Sequence, residues 1–148
     1  MTWTIRPLAA RDRADWEPLW QGYLTFYEAT VPAEVTETTW RRLMTDGEDP
    51  SGFCAVGADD RPIGIVHYHF HRSAWTVGDY CYLQDLFVNP DIRGGGVGRA
   101  LIEAVYEAAE ARGASQTYWL TQDFNTTARK LYDKVGQLTP FIKYRNPI

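Results

Sequence analysis

Arg93, Gly96 and Gly98 stand at the junction of a β-forming run, Tyr80 to Val88, and a helix-forming run that reaches about Arg112. In full the junction reads Val88-Asn89-Pro90-Asp91-Ile92-Arg93-Gly94-Gly95-Gly96-Val97-Gly98-Arg99. The first N–H groups of a helix lack internal partners and carry partial positive charge. Glycines permit positive φ there and let a phosphate come close to the backbone. Arg93 and Arg99 add charge at either flank. The chemistry on offer is anion binding. A Walker loop would need Lys and then Ser or Thr after its last glycine, where Arg99-Ala100 stands. A dinucleotide fingerprint that starts at Gly94 would need glycine at position 99, which is Arg. Arg-x-x-Gly-x-Gly remains, and taken alone it serves equally as a flexible connector before a helix.

His67, His69 and His71 alternate, which puts them on one face of a strand. Such spacing can begin a zinc site, but no Cys or carboxylate shares the pattern, so no metal is expected. The sequence is rich in aromatic residues, at 14% with six Trp. Most serve to fill a core, because each buries much area.

The elements that must position these residues follow from periodicity. Trp3 to Pro7 reads as a short strand. Asp12 to Ala29 carries Trp16, Leu19, Trp20, Tyr23, Leu24 and Tyr27 at helical spacing. Pro18 is tolerated only near the first turns of that helix. A second helix is expected from about Thr36 to Thr45. Gly52–Val56, Ile63–His71 and Tyr80–Val88 read as an antiparallel meander. The glycine cluster opens a helix that Gly113 stops. Gln116–Thr121 is expected as a strand, Asn125–Val135 as a helix and Phe141–Tyr144 as a last strand. A strand, a crossover helix and a further strand make Tyr82–Val88 and the strand around Trp119 parallel neighbours. The fold class is α/β in the broad sense, a mixed α+β sheet with flanking helices.

Length and composition bound the function. A chain of 148 residues fits one domain, residues 1–148, and 45% apolar content supplies a core. The net charge of −4 argues against non-specific nucleic-acid binding and is compatible with a cationic acceptor. Cys54 and Cys81 show no metal spacing and read as free thiols. The amino-terminal stretch has no apolar signal region, and no run approaches ~18 apolar residues, so a cytoplasmic protein with no membrane span is expected.

The motifs together resemble the GNAT superfamily of N-acetyltransferases. Leu86-Phe87-Val88 leads into Arg93-x-x-Gly96-x-Gly98, and about 25 residues later come Trp119-Leu120-Thr121, Asn125, Ala128, Leu131-Tyr132 and Lys134-Val135-Gly136. The match runs in order and spacing from roughly Tyr80 to Arg145, and the first half matches in its order of elements. Tyr82-Leu83-Gln84-Asp85-Leu86-Phe87-Val88 is similar to a stretch of the diamine acetyltransferases. Trp119-x-Thr121, Asn125 and the tail Pro140-Phe141-Ile142-x-Tyr144-Arg145 are more similar to the fungal histone and D-amino-acid acetyltransferases.

The resemblance implies acetyl-coenzyme A as cosubstrate. Its pyrophosphate would sit on Arg93, Gly94, Gly95, Gly96, Val97, Gly98 and Arg99. Its pantetheine arm would lie where the strands of Leu86–Val88 and Trp119–Thr121 splay apart, along Leu86, Phe87 and Val88, with Asn125 and Ala128 on the far side. Tyr132 stands where the family places the acid that protonates the departing thiolate; its helical spacing also suits a core tyrosine. In the diamine enzymes a Glu precedes the Asp of the strand, and here that position is Gln84. Asp85 remains as the base, turned into the cleft by a bulge, or as a carboxylate that caps backbone N–H groups. A water chain is the alternative route for the proton. Tyr23, Tyr27, Glu28, His71 and Gln84 fall on the acceptor side, where an aromatic wall with a few carboxylates suits an amine. The expected acceptor is a small-molecule primary amine, with a protein lysine or a non-catalytic regulator as alternatives. A homodimer is expected from the family and from the apolar tail.

Overall fold

Each element forms where the apolar spacing asks for it. The computed structural model describes residues 2–92 and 95–147. Its elements in chain order are β1 (Thr4–Pro7), α1 (Arg13–Phe26), α2 (Ala33–Leu43), β2 (Ser51–Val56), β3 (Pro62–His71), β4 (Tyr80–Val88), α3 (Val97–Arg112), β5 (Gln116–Tyr118) and α4 (Thr126–Val135). Among the described residues the strands make one five-stranded sheet in the order β1-β2-β3-β4-β5. β1 to β4 are antiparallel neighbours, and β4 pairs β5 in parallel. The mixed sheet with one parallel pair agrees with the sequence.

Two packed layers close the sheet. On one face, α1 buries Trp16, Leu19, Trp20 and Leu24 against Cys54, Val56 and Ile65. On the other, α3 buries Val97, Leu101, Ile102, Val105 and Ala109 against Ala55, Val66, Tyr68, Cys81 and Leu83. Gly113, at φ 77°, ends α3 as expected.

The entry to α1 is fixed by a buried ion pair. Arg6 at the end of β1 donates two hydrogen bonds of 2.8 Å to the two oxygens of Asp12, and the Ala9 N–H adds a third at 2.7 Å. Pro18 falls in the second turn of α1, near its start as expected, and forfeits the N–H that would bond back to Ala14.

Two expectations are corrected. Phe141–Tyr144 is not a strand: the chain from Gln137 to Pro147 is exposed and has no ladder partner. β5 ends at Tyr118 and not at Thr121. In both cases a good β-forming sequence does not run alongside a strand of its own chain: Trp119–Thr121 leaves β4 after Tyr118 and the tail pairs with none, and pairing decides strand formation. No helix among the described residues is long and apolar enough to cross a membrane.

Candidate active site

The parallel pair opens like a V. β4 and β5 pair at Tyr80–Gln116, Cys81–Thr117 and Tyr82–Tyr118, and no further. β4 runs on to Val88 with only β3 beside it. Leu86–Val88 and Trp119–Thr121 are therefore not paired with each other. The backbone groups on that side of β4 need partners, and an extended amide-bearing ligand can supply them.

Beyond β4 the chain turns at Asn89, whose N–H donates to Ile63 and whose side-chain oxygen accepts from the Asp91 N–H. Gly96 caps α3 with φ 77° and ψ 14°, in the left-handed region that glycine tolerates best. The Ala100 N–H closes the first helical bond onto Gly96, 3.0 Å away. The N–H groups before it lack a helical partner, and no acid sits in the first turn. The positive end of the helix dipole thus meets no carboxylate of its own turn. A Cβ on Gly98 would lie 3.5 Å from Leu131 and 3.9 Å from Val88, so the first turn of α3 is packed between β4 and α4. Arg99 makes an exposed ion pair with Glu103, of a kind weak enough to yield to a phosphate. Arg93 and Gly94 lie outside the described residues. The Trp3 indole lies against Gly95 and Gly96. Sequence reasoning had no reason to bring it there from so far away in the chain.

The expected bulge is present. Tyr68 pairs with Leu83 but His67 pairs with Asp85, so Gln84 is the extra residue. Without it Gln84 would face His67; with it Gln84 is exposed and Asp85 takes the place opposite His67. Asp85 Oδ2 lies 3.0 Å from His67 Nδ1. Tyr23 of α1 also reaches this carboxylate. Burial first, and then the charge of Asp85 and a hydrogen bond to it, push the Tyr23 hydroxyl well above the ordinary tyrosine range. Tyr82 is raised by burial, then by Tyr118 and Asp85. Gly22 makes this closeness possible, because a Cβ there would come within 2.8 Å of the Phe87 ring.

Tyr132 stands on the other side of the gap. Its ring meets Trp119, the first residue past β5, at 5.5 Å between centroids. Burial, and secondarily Tyr27, push its hydroxyl up to about 12. Tyr27 in turn lies 5.0 Å from Tyr23 between ring centroids. A run of tyrosines, Tyr23, Tyr27 and Tyr132, therefore leads from Asp85 to the α4 wall. Asn125 precedes α4 and donates to the Thr121 hydroxyl at 3.1 Å, tying the start of that helix to the segment after β5. Ala128 is half-buried one turn on. A cleft of about 240 Å³ opens beside these groups and is lined by Phe26, Tyr27, Glu28, Gln122, Phe124 and Asn125, among others. Glu28 holds φ 54° there, uncommon for a residue with a side chain.

The three histidines have separate fates. His67 is buried under α1. His69 lies 3.4 Å from the Gln84 side-chain oxygen. His71 donates from Nδ1 to the Arg72 carbonyl at 2.9 Å, which leaves Nε2 to accept the Tyr118 hydroxyl at 2.7 Å. Tyr118 also stacks on Tyr82 at 4.8 Å. His67 and Tyr118 are therefore additions to the residues the sequence placed in the site. The alternation of histidines was the one signal for His67.

Comparison with known proteins decides the family. The Acetyltransferase (GNAT) family matches residues 15–137. The chain belongs to the GNAT acetyltransferases. It is 34% identical over 142 residues to the D-amino-acid N-acetyltransferase HPA3 of Saccharomyces cerevisiae, over 95% of this chain and 88% of that one. It is 38% identical over 115 residues to a thialysine N-epsilon-acetyltransferase of Bos taurus, over 78% of this chain and 58% of that one. Among solved structures, a probable acetyltransferase superposes with a TM-score of 0.85 at 20% identity, covering 98% of this chain and 97% of the other. An aminoglycoside N-acetyltransferase in complex with coenzyme A gives 0.79 at 22%, covering 99% and 96%. These two show the same fold. The enzyme is accordingly an acetyl-coenzyme A-dependent N-acetyltransferase.

Proposed function

We propose that this acetyltransferase acetylates the primary amine of a small molecule, such as an amino acid or a polyamine, by direct transfer in the gap between β4 and β5. The observation that carries the reading is the placement of Asp85 and Tyr132. They stand on the two sides of the opened strand pair, a carboxylate on one wall and a protonated phenol on the other. The full-length similarity to a D-amino-acid N-acetyltransferase, and the partial similarity to a thialysine enzyme, favour a small amine over a protein lysine.

The reaction needs a neutral amine, and at a pKa of ~10.4 only about one lysine-like amine in 2,500 is neutral at pH 7. Asp85 accepts the ammonium proton. The amine nitrogen then attacks the thioester carbonyl, and a backbone N–H near Val88 meets the oxyanion. The C–N bond forms, the C–S bond breaks, and the second proton of the amine nitrogen passes to the leaving sulfur, toward which the Tyr132 hydroxyl donates a hydrogen bond. A phenol raised to about 12 is a weaker acid than a thiol near ~8.5. Its part is therefore a hydrogen bond to the developing thiolate, which secures the proton's passage without a free tyrosinate. In this scheme the α3 N-terminus and Arg93, Gly94, Gly95, Gly96, Val97, Gly98 and Arg99 hold the pyrophosphate, Leu86–Val88 and Asn125 flank the pantetheine arm, and Tyr23, Tyr27, Glu28, His71 and Gln84 face the acceptor.

The protein acts as one domain that pairs into a homodimer through its exposed tail. The compartment is the cytoplasm, which suits two unpaired cysteines. The test of function is incubation with acetyl-coenzyme A and a panel of amino acids, polyamines and lysine peptides, with free thiol as readout. Turnover on a free small amine far above that on the peptides is expected. Preference for the peptides would overturn the reading.

A further inference from the structure

His67 lies directly beside Asp85 and has no contact with solvent. Its hydrogen-bond partners fix its chemistry. The Trp16 indole N–H can only donate, and its partner is His67 Nε2 at 3.1 Å. Nε2 must therefore be bare, and a neutral ring carries its hydrogen on Nδ1. Nδ1 lies 3.0 Å from Asp85 Oδ2, so that hydrogen points at the carboxylate. The ring is walled by the indoles of Trp16 and Trp20, with centroids at 6.1 and 5.6 Å. The hydrogen-bonded row ends at Trp16, which cannot accept a proton, so it is an anchor and not a route to solvent.

We propose that His67 is a positioning residue, set in one tautomer by Trp16, which holds the carboxylate of Asp85 in the rotation that meets the acceptor amine. The inference rests on Asp85 as the base. The bulge explains why the arrangement needs the strand irregularity: it brings residue 85 rather than residue 84 opposite the imidazole. One oxygen of Asp85 is then engaged from within the protein by a donor that cannot rotate away. A carboxylate held in this way is fixed in its rotation about the strand by a neutral donor. Partners that orient a working group from behind typically contribute about 10–100-fold.

Two isosteric substitutions separate positioning from packing. An Asn amide places its N–H₂ near the site of Nδ1, so His67→Asn keeps the donor to Asp85. A Gln reaches toward the site of Nε2, so His67→Gln keeps a partner for Trp16 and loses the donor. Steady-state kinetics with acetyl-coenzyme A and the best small amine, beside a melting curve for each variant, gives the readout. The expected result is a kcat about 10–100-fold lower in His67→Gln, with the KM for acetyl-coenzyme A unchanged, and recovery to within about threefold of wild type in His67→Asn. In an Asp85→Asn background the Gln substitution should cost nothing more. Long-range ¹⁵N–¹H correlation on the wild-type protein should show hydrogen on Nδ1 and a bare Nε2. Equal losses in the Asn and Gln variants, an undiminished loss in the Asp85→Asn background, or hydrogen on Nε2 would overturn the proposal. A slow Asp85→Asn with a fast His67→Gln removes the positioning role alone; a fast Asp85→Asn removes the base and the positioning role together.

Discussion

Tyr132 is kept protonated by its surroundings, and that has a consequence for the pH dependence of turnover. Its hydroxyl is pushed up to about 12, by burial first and Tyr27 second. In the proposed scheme the donor is the neutral phenol, so the active form persists as pH rises and is lost only near that value. No decline in kcat attributable to Tyr132 should appear between about pH 8 and about pH 10, where an ordinary tyrosine would begin to ionise. Profiles of wild type and Tyr132→Phe over that range check this. An alkaline limb centred near the ordinary value that vanishes in the Phe variant would contradict it. Residues of this kind were readable from spacing: Asn125, Ala128 and Tyr132 keep helical register in the sequence. His67 was not, because what distinguishes it from His69 and His71 is the cover of α1, which only the folded chain supplies.

The position of α1 decides whether Tyr23 and Tyr27 reach the gap, and Asp12 is its fixed point. Asp12 is 2% exposed. Burial alone would raise its carboxyl, but the Arg6 guanidinium and the Ala9 N–H outweigh that and hold it below the ordinary 3.8. A depressed folded-state value means that the stabilisation is present above about pH 4 and fades as pH falls through the lowered value. Asp12→Ala leaves Arg6 without its buried partner and should destabilise by about 3 kcal/mol near neutral pH. Urea unfolding at pH 7 and again near pH 3 measures it, and the difference between variants should shrink at the lower pH. A constant difference would assign the effect to packing. At this scale the sequence was most legible where the periodicity was strong, as in α1, α3 and β2 to β4. It failed at the ends of the fold. Trp119–Thr121 and Phe141–Tyr144 are good strand formers, but a strand must run alongside an edge to pair with it, and no pattern within the segment reveals whether the chain does so.

The tail is the feature of the whole molecule that its own fold leaves unused. Phe141, Ile142 and Tyr144 are 82%, 77% and 90% exposed, an apolar surface unusual on a lone chain. β5 offers only three paired residues at the end of the sheet, and the tail has the composition of a strand. A two-fold partner that takes up the tail would satisfy both. Light scattering at micromolar concentration should give twice the 16.9 kDa chain mass, and removal of residues 138–148 should halve it. A monomer mass for the intact chain would refute the pairing. The overall class was plain from the strand-loop-helix signature, while the acceptor side was less legible, because Asp85, Tyr23, Tyr118 and Tyr132 come from four elements and meet only in the fold. The most direct measurement of the proposed chemistry is the rate of thiol release from acetyl-coenzyme A with the best small amine, for wild type, Asp85→Asn and Tyr132→Phe. Cys54 and Cys81 are fully buried and add little background to it. Both variants should bind acetyl-coenzyme A with near wild-type affinity by calorimetry and turn over more slowly, by ~10²–10⁴-fold in Asp85→Asn and by about 10–100-fold in Tyr132→Phe. Near wild-type turnover in both, in folded protein, would contradict transfer between these two residues and leave solvent as the carrier of the protons.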